Sequence, residues 1–183
     1  MEKNYIIAGF GGQGVLFAGK TLANAFMIAD KNVTWYPCYG AEMRGGTVNC
    51  EIVVSDDEVS AVHKQEVDCV LALNQLSLNK FEKKVKSGGT MIYNSSLAKV
   101  ENKRDDIKYI SAPISEIALK LGSPKFTNMV ALGVLGSIES NLKIDLYEKA
   151  LKLVLTDKKA SMIEVNLNAI KEAEKSVLAG NLT

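Results

Sequence analysis

Tyr5-Ile6-Ile7-Ala8-Gly9-Phe10-Gly11-Gly12-Gln13-Gly14-Val15-Leu16 is the stretch that decides the fold. A β-prone run over residues 4–8 stops at a glycine-rich turn, and a helical pattern starts near Gln13. Val15, Leu16, Ala18, Leu22, Ala25, Phe26 and Ala29 cover most of that helix, leaving Lys20, Thr21 and Asn24 on a narrow polar side. Such a helix is expected to lie against a sheet. Gly9, Gly11 and Gly14 have the GxGxxG spacing, directly after a strand. In that pattern the first glycine permits a tight turn, the second lets the backbone approach a pyrophosphate, and the third lets helix and sheet pack closely. The helix N-terminus offers unpaired N–H groups to an anion.

Working outward, Asp30-Lys31-Asn32 makes a turn, and the β-branched and aromatic run Val33-Thr34-Trp35-Tyr36 reads as a second strand. Residues 37–46 read as a loop, and residues 47–55 as a third strand. Residues 67–73 form a continuous apolar run, the signature of a parallel strand buried on both faces. A helix over 77–86 ended by Gly88-Gly89, a strand over 90–93 and a short strand over 108–111 follow. Pro113 opens a helix and Gly122 closes it. An apolar helix over 128–139 carries Gly133 and Gly136, which are best tolerated where its backbone packs close to another element. Asp145 with Glu148, and Ser161 with Glu164, have capping-box spacing. The second box precedes an amphipathic stripe of Ile163, Leu167, Ile170, Ala173 and Val177. Strands alternating with helices predict a single doubly wound α/β domain over residues 1–183. It should have one mostly parallel, Rossmann-like sheet and helices on both faces. Ligands of such sheets sit beyond the carboxyl ends of the strands.

The 183 residues suit one domain, and 47% hydrophobic with 23% charged residues is ordinary for a globular chain. Lys plus Arg number 22 and Asp plus Glu 21, so the net charge of +1 gives no reason to expect nucleic-acid binding. No apolar stretch reaches the roughly 20 residues of a membrane span, and the first residues lack a signal-peptide pattern, so a cytoplasmic chain without a membrane partner is expected. Cys38, Cys50 and Cys69 are well separated and form no CxxC pair. They read as reduced thiols, too few to hold an ordinary iron–sulfur cluster from this chain alone. His63 is the only histidine, which leaves no His-rich metal site, and it reads as a surface residue between strands. No metal and no cofactor bound by this chain alone is expected.

The glycine turn has three readings. A dinucleotide site wants a carboxylate at the end of the second strand, and Trp35-Tyr36-Pro37-Cys38 supplies none. The glycines can serve only the turn and close packing. The third reading is a phosphate-bearing group or a partner's backbone. Tyr39-Gly40-Ala41-Glu42-Met43-Arg44-Gly45-Gly46 follows the second strand and should reach the same end of the sheet. It is either a solvated loop with a local Glu42–Arg44 pair or a site in which Arg44 grips a phosphate or carboxylate bidentately. Glu42 would work as an acid or base only if burial raised its pKa. Asn128 reads as the N-cap of the apolar helix.

These same segments resemble a known family. Gly9-Phe10-Gly11-Gly12-Gln13-Gly14, then Tyr39-Gly40 and Glu42-Met43-Arg44-Gly45-Gly46, are similar to the gamma subunits of pyruvate, 2-oxoglutarate and other 2-oxoacid:ferredoxin oxidoreductases. Asn128-Met129 ahead of Leu132-Gly133, and Gly88-Gly89-Thr90 before a strand, extend the likeness over about the whole chain. The run from Phe10 to Gly19 and Asn94-Ser95-Ser96 lean towards the 2-oxoglutarate type over the pyruvate type. The resemblance implies a domain of the pyruvate:ferredoxin oxidoreductase domain III type and a reaction shared among subunits. A 2-oxoacid is decarboxylated on thiamine diphosphate with magnesium, electrons pass through iron–sulfur clusters to ferredoxin, and the acyl group leaves as its coenzyme A thioester. It implies alpha-type, beta-type and ferredoxin-like delta-type partner subunits. This chain would be inactive alone and contain no catalytic residue. Its glycine turn (Gly9, Gly11, Gly12, Gln13, Gly14), its second loop (Tyr39, Gly40, Glu42, Arg44, Gly45, Gly46) and Asn128 would face partners or coenzyme A. A free-standing nucleotide-dependent enzyme and a purely structural interaction domain are the competing readings.

Overall fold

A computed structural model describes residues 2–38, 47–59, 61–155 and 161–178. Six strands form one sheet: β1 (Glu2–Phe10), β2 (Asn32–Cys38), β3 (Thr47–Ser55), β4 (Val67–Ala72), β5 (Val85–Asn94) and β6 (Lys108–Ala112). Their order is β2-β3-β1-β4-β5-β6. β1, β4, β5 and β6 pair in parallel. β3 is antiparallel to both β1 and β2, so β2 points the same way as β1. The sheet is therefore mostly parallel, with β3 the strand running against the rest.

The helices are α1 (Val15–Ile28), α2 (Gln75–Phe81), α3 (Ile114–Lys120), α4 (Thr127–Gly136), α5 (Ile144–Val154) and α6 (Ser161–Leu178). They share the two faces unequally. Tyr5, Ile7, Cys50, Ile52 and Leu71 point into the larger core with residues of α1, α3, α4, α5 and α6. Ile6, Ala8, Val70 and Met91 point the other way, against Leu78 and Phe81 at α2. This period-2 alternation is what a strand buried on both faces requires.

Glycines set two of the close approaches. A Cβ on Gly19 would lie 2.2 Å from Cys50 Sγ and 2.9 Å from Trp35 Nε1, so it is Gly19, not Gly14, that lets α1 lie down on the sheet. A Cβ on Gly133 would lie 2.3 Å from the Ile170 carbonyl oxygen, which is the predicted close approach, here between α4 and α6. Some boundaries differ from expectation. α2 gives way to a 3-10 turn over Glu82–Lys84, and Gly88-Gly89 lies inside β5, where Gly88 has φ 77° beside a register shift. α5 is preceded by Lys143 without a side-chain cap among the described residues, so Asp145 lies in the first turn and forms no capping box.

Candidate functional site

Two chain paths diverge at the carboxyl edge of the sheet. From β1 the chain leaves through α1 towards β2, past β3; from β4 it leaves through α2 in the opposite direction, to β5. The β1/β4 junction is thus the topological switch point, where open α/β sheets form their ligand crevice. One lip is the glycine turn after β1. The other is Leu73-Asn74-Gln75-Leu76 after β4.

The turn folds around the Gln13 amide. Phe10 N–H donates to Gln13 Oε1 at 2.6 Å, and Gln13 N–H donates to the Phe10 carbonyl at 3.2 Å. Gly9 is required because a Cβ there would stand 2.7 Å from Gln13 Oε1 and 2.9 Å from Val15 Cγ2. Gly12 and Gly14 have φ 91° and 72°, the left-handed region that glycine enters without a steric cost. Gly14 also faces Asn128: a Cβ would meet its Nδ2 at 2.4 Å.

Amide side chains stitch this edge together. Asn74 caps α2 by accepting from Ser77 N–H at 2.9 Å and donates from Nδ2 to Gln13 Oε1 at 3.1 Å, across the crevice. Asn94, fully buried at the end of β5, donates to the Leu73 carbonyl at 3.3 Å and to Ser115 Oγ at 2.7 Å. Its Oδ1 accepts from Ser96 and Ser115 N–H, each at 3.2 Å. Asn128 donates to the Gly14 carbonyl at 3.3 Å while Oδ1 accepts from Met129 N–H at 3.0 Å. The sequence reading of Asn128 as N-cap is therefore corrected: α4 already begins at Thr127, and Asn128 ties that helix to the turn.

On the α1 side of the turn, Phe10, Gly11, Gly12, Gly14, Val15, Leu16, Phe17, Cys38 and Val48 line a cavity of about 330 Å³. Its lining is mainly apolar and, among the described residues, carries no lysine or arginine. Burial raises the Cys38 thiol above its ordinary pKa, and Glu51 adds to this while Lys84 and Lys80 oppose it. Glu51 is buried, 2.7 Å from His63 Nδ1 and 3.6 Å from Lys84 Nζ, so the single histidine is an exposed partner of a framework carboxylate.

The dinucleotide geometry is not reproduced. It places a parallel second strand beside the first, whereas the neighbour of β1 on that side is the antiparallel β3. Gly9, Gly11, Gly12, Gln13, Gly14 and Asn128 are brought together at one edge. Tyr39, Gly40, Glu42, Arg44, Gly45 and Gly46 lie outside the described residues. Their bracketing positions do stand at this edge, since Cys38 is level with Asn49 and Ala8, and Thr47 pairs with Phe10. Sequence reasoning missed Asn74. Its signal was a polar residue directly after a continuous apolar strand, at the carboxyl edge, with a serine three residues on.

Residues 4–175 match the family described as pyruvate ferredoxin/flavodoxin oxidoreductase. The chain is 37% identical over 166 residues to the ketoisovalerate oxidoreductase subunit VorA of Methanothermobacter thermautotrophicus, covering 90% of this chain and 34% of that protein. It is 40% identical over 135 residues to the 2-oxoglutarate synthase subunit KorC of Archaeoglobus fulgidus, covering 73% and 69%. The chain thus spans about a third of the length of the ketoisovalerate relative and about two-thirds of the other. A keto/oxoacid ferredoxin oxidoreductase gamma subunit from Geobacter sulfurreducens superposes with TM-score 0.81 at 27% identity, over 97% of this chain and 99% of that one. The 2-oxoglutarate:ferredoxin oxidoreductase of Magnetococcus marinus shares the fold, with TM-score 0.86 at 22% identity over 97% of this chain and 31% of that one.

Proposed function

We propose, from the premise that this chain belongs to the pyruvate ferredoxin/flavodoxin oxidoreductase family, that it is the gamma-type part of a 2-oxoacid:ferredoxin oxidoreductase. In this reading it assembles with thiamine-binding and cluster-binding polypeptides, and its glycine-turn edge lies on the path of coenzyme A. The observation that carries the proposal is the switch-point edge itself: a glycine turn fixed by Gln13 and Asn74, built to hold its shape. Preorganised backbone of this kind suits contact with something outside the chain.

The residues favour a supporting role over a chemical one. Among the described residues, no group of three or more His, Cys, Asp or Glu side chains is placed to hold a metal ion. Magnesium, thiamine diphosphate and the clusters are assigned to the other polypeptides because the family resemblance implies it. The cavity beside the turn fits the apolar arm of coenzyme A, whose amides would meet turn backbone. Its phosphates find no cation among the described residues of that lining, and we assign Arg44 to them. Bound there, coenzyme A would supply the thiol that takes up the acyl group, and this chain's residues would hold its arm. The acid is assigned at the level of 2-oxoacid. Relatives named for ketoisovalerate and for 2-oxoglutarate match at 37% and 40% identity. Asn94, one basis of the 2-oxoglutarate lean, is buried and spends its amide on the Leu73, Ser96 and Ser115 groups, so it does not reach a substrate.

The test is reconstitution with the partner polypeptides. Oxoacid- and coenzyme A-dependent reduction of ferredoxin is expected only when this chain is present, and none from the chain alone. Arg44→Ala is expected to raise the KM for coenzyme A. Full activity of a complex lacking this chain refutes the proposal, as does tight calorimetric binding of NAD, NADP or FAD to the chain by itself.

A further inference from the structure

Gln13 cannot rotate its amide freely. Its Oε1 accepts from two donors, Phe10 N–H at 2.6 Å and Asn74 Nδ2 at 3.1 Å. The Asn74 amide is oriented in turn, because Oδ1 must accept from Ser77 N–H at 2.9 Å. Reversing either amide would set donor against donor. Backbone N–H groups of fixed polarity therefore dictate, through Asn74, that Gln13 keeps its oxygen inward and turns its NH₂ away from these bonds. Gln13 is half-buried, so that NH₂ group lies at the crevice surface.

The two lips, residues 10–14 and 73–76, contain no charged residue. Lys80 Nζ stands to one side, 3.1 Å from Oγ1 of Thr47, the residue that pairs with Phe10. Phe10 is 38% exposed on one lip and Leu76 51% exposed on the other. Leu97, following β5 at the same edge, is 50% exposed. The carboxyl ends of β1, β4 and β5, neighbours in the sheet, are thus each followed or closed by one exposed large apolar side chain at this edge. An isolated small anion would want cations on the lips themselves. A polypeptide surface, with apolar side chains flanking a neutral carbonyl, fits this combination of apolar anchors and a single oriented polar group.

We propose that Gln13, oriented by Asn74, is the hydrogen-bonding centre of a protein-docking surface formed with Phe10, Leu76 and Leu97, and that its occupant is the polypeptide corresponding to the other two-thirds of the ketoisovalerate relative. That relative carries the matching stretch as about a third of one chain, so its remainder is a neighbour to this domain. The proposal rests on the functional reading above and names the partner and the residues of the same edge. Gln13 donates to a main-chain carbonyl of that partner, while Phe10, Leu76 and Leu97 are covered by its apolar side chains.

The test is association of this chain with the corresponding partner polypeptide, measured by biolayer interferometry, for wild type, Gln13→Glu, Asn74→Asp and Leu76→Ser. Gln13→Glu keeps an oxygen for Phe10 N–H and Asn74 Nδ2 but replaces the outward donor by a charged acceptor. It is expected to weaken association about thirty-fold or more. Asn74→Asp keeps the α2 cap and places an oxygen against Gln13 Oε1, and is expected to weaken it several-fold. Both should leave the thermal midpoint of the isolated chain within a few degrees. A direct readout covers any variant that fails to fold: the Gln13 side-chain NH₂ resonances of the wild-type chain should shift and gain exchange protection on partner binding. Unchanged association of Gln13→Glu overturns the proposal, as do unmoved resonances. A raised coenzyme A KM with unchanged association also overturns it, in favour of a coenzyme contact. Partner binding that is lost in Gln13→Glu, with no oxoacid-dependent activity in wild type, would sustain the docking surface and refute the functional reading instead.

Discussion

Gly12→Ala and Gly14→Ala separate two reasons for a glycine in the same turn. Both residues have positive φ, 91° and 72°, so either alanine costs about 1–2 kcal/mol of left-handed strain. Beyond that they differ. A Cβ at Gly12 meets nothing within 4 Å, whereas one at Gly14 would stand 2.4, 2.9 and 3.2 Å from Nδ2, Cγ and Cβ of the buried Asn128. Contact with the Asn128 Cβ itself means that rotating the amide does not suffice. The Asn128–Gly14 hydrogen bond at 3.3 Å is lost, worth about 1 kcal/mol, and overpacking adds about 1 more. Gly14→Ala should therefore cost about 3–4 kcal/mol and Gly12→Ala about 1–2. Asn128→Ala alone should cost about 1 kcal/mol, yet combined with Gly14→Ala it removes the contacts with Nδ2 and Cγ and leaves only the milder one with Cβ at 3.2 Å. The double variant should then be more stable than the sum of the singles by about 1–2 kcal/mol. Urea unfolding of the four variants measures all of this. Equal losses for the two glycine variants, or strict additivity of Gly14→Ala with Asn128→Ala, would refute the packing account.

Three further outcomes follow from packing and burial. Gly133→Ala gains about 1 kcal/mol of helix propensity but drives a methyl to 2.3 Å from the Ile170 carbonyl oxygen, so a net loss of about 2 kcal/mol is expected in thermal or urea unfolding; a neutral or stabilised variant would show that α6 yields freely. Burial pushes the Cys50 thiol up to about 12 and raises Cys69 as well, whereas Cys38 is only half-buried. An aromatic disulfide reagent at pH 8 should accordingly titrate one thiol in the folded chain and two only on unfolding, and reaction of all three without unfolding would contradict the fold. The same two buried thiols make stability pH-dependent. Their folded pKa values lie above the unfolded ones, so the unfolded chain loses protons first, and stability held below about pH 8.5 falls above it by about 1.4 kcal/mol per pH unit for each thiol. Urea midpoints at pH 8 and pH 10 should show this fall, and it should shrink in Cys50→Ala; a flat profile would rule out the burial.

Much of the fold was legible because it depends on local signals. The strand at residues 47–55 alternates and then runs apolar, and it is found over Thr47–Ser55. The run at 67–73 reads as a doubly buried strand and becomes β4, packed on both faces. What a local reading does not contain is partner choice. Nothing in Asn32–Cys38 says that it pairs with β3 and not with β1, and a two-layer βαβ expectation places it beside β1. The Gly88-Gly89 pair likewise reads as a helix stop, because glycine after a helical run ordinarily is one. Here its freedom is used inside β5: Gly88 takes φ 77°, and a Cβ on Gly89 would lie 2.9 Å from the Asp68 carbonyl oxygen.

The site divides along the same line. Gly9 and Gln13 were visible as a motif, but the assignment of roles came from a different fold's use of those glycines. Gly14 was expected to relieve helix against sheet; it relieves turn against α4, through a residue 114 positions away. Gly9 was expected to serve tightness of the turn alone, yet the space it leaves is filled by the Gln13 amide. The same displacement explains why Asn74 was overlooked. Read locally it is a helix cap, and it is one; its second bond crosses to a residue 61 positions earlier, and that bond determines which end of the Gln13 amide faces out. An amide has one donor end and one acceptor end, so its message is carried by its neighbours' polarity and not by its own identity. In this edge that polarity originates in two backbone N–H groups, of Phe10 and Ser77, which no substitution other than proline removes. The outward donor of Gln13 is for that reason a property of the fold, and a variant that keeps both amides but loses the β1/β4 junction should lose it as completely as Gln13→Glu does.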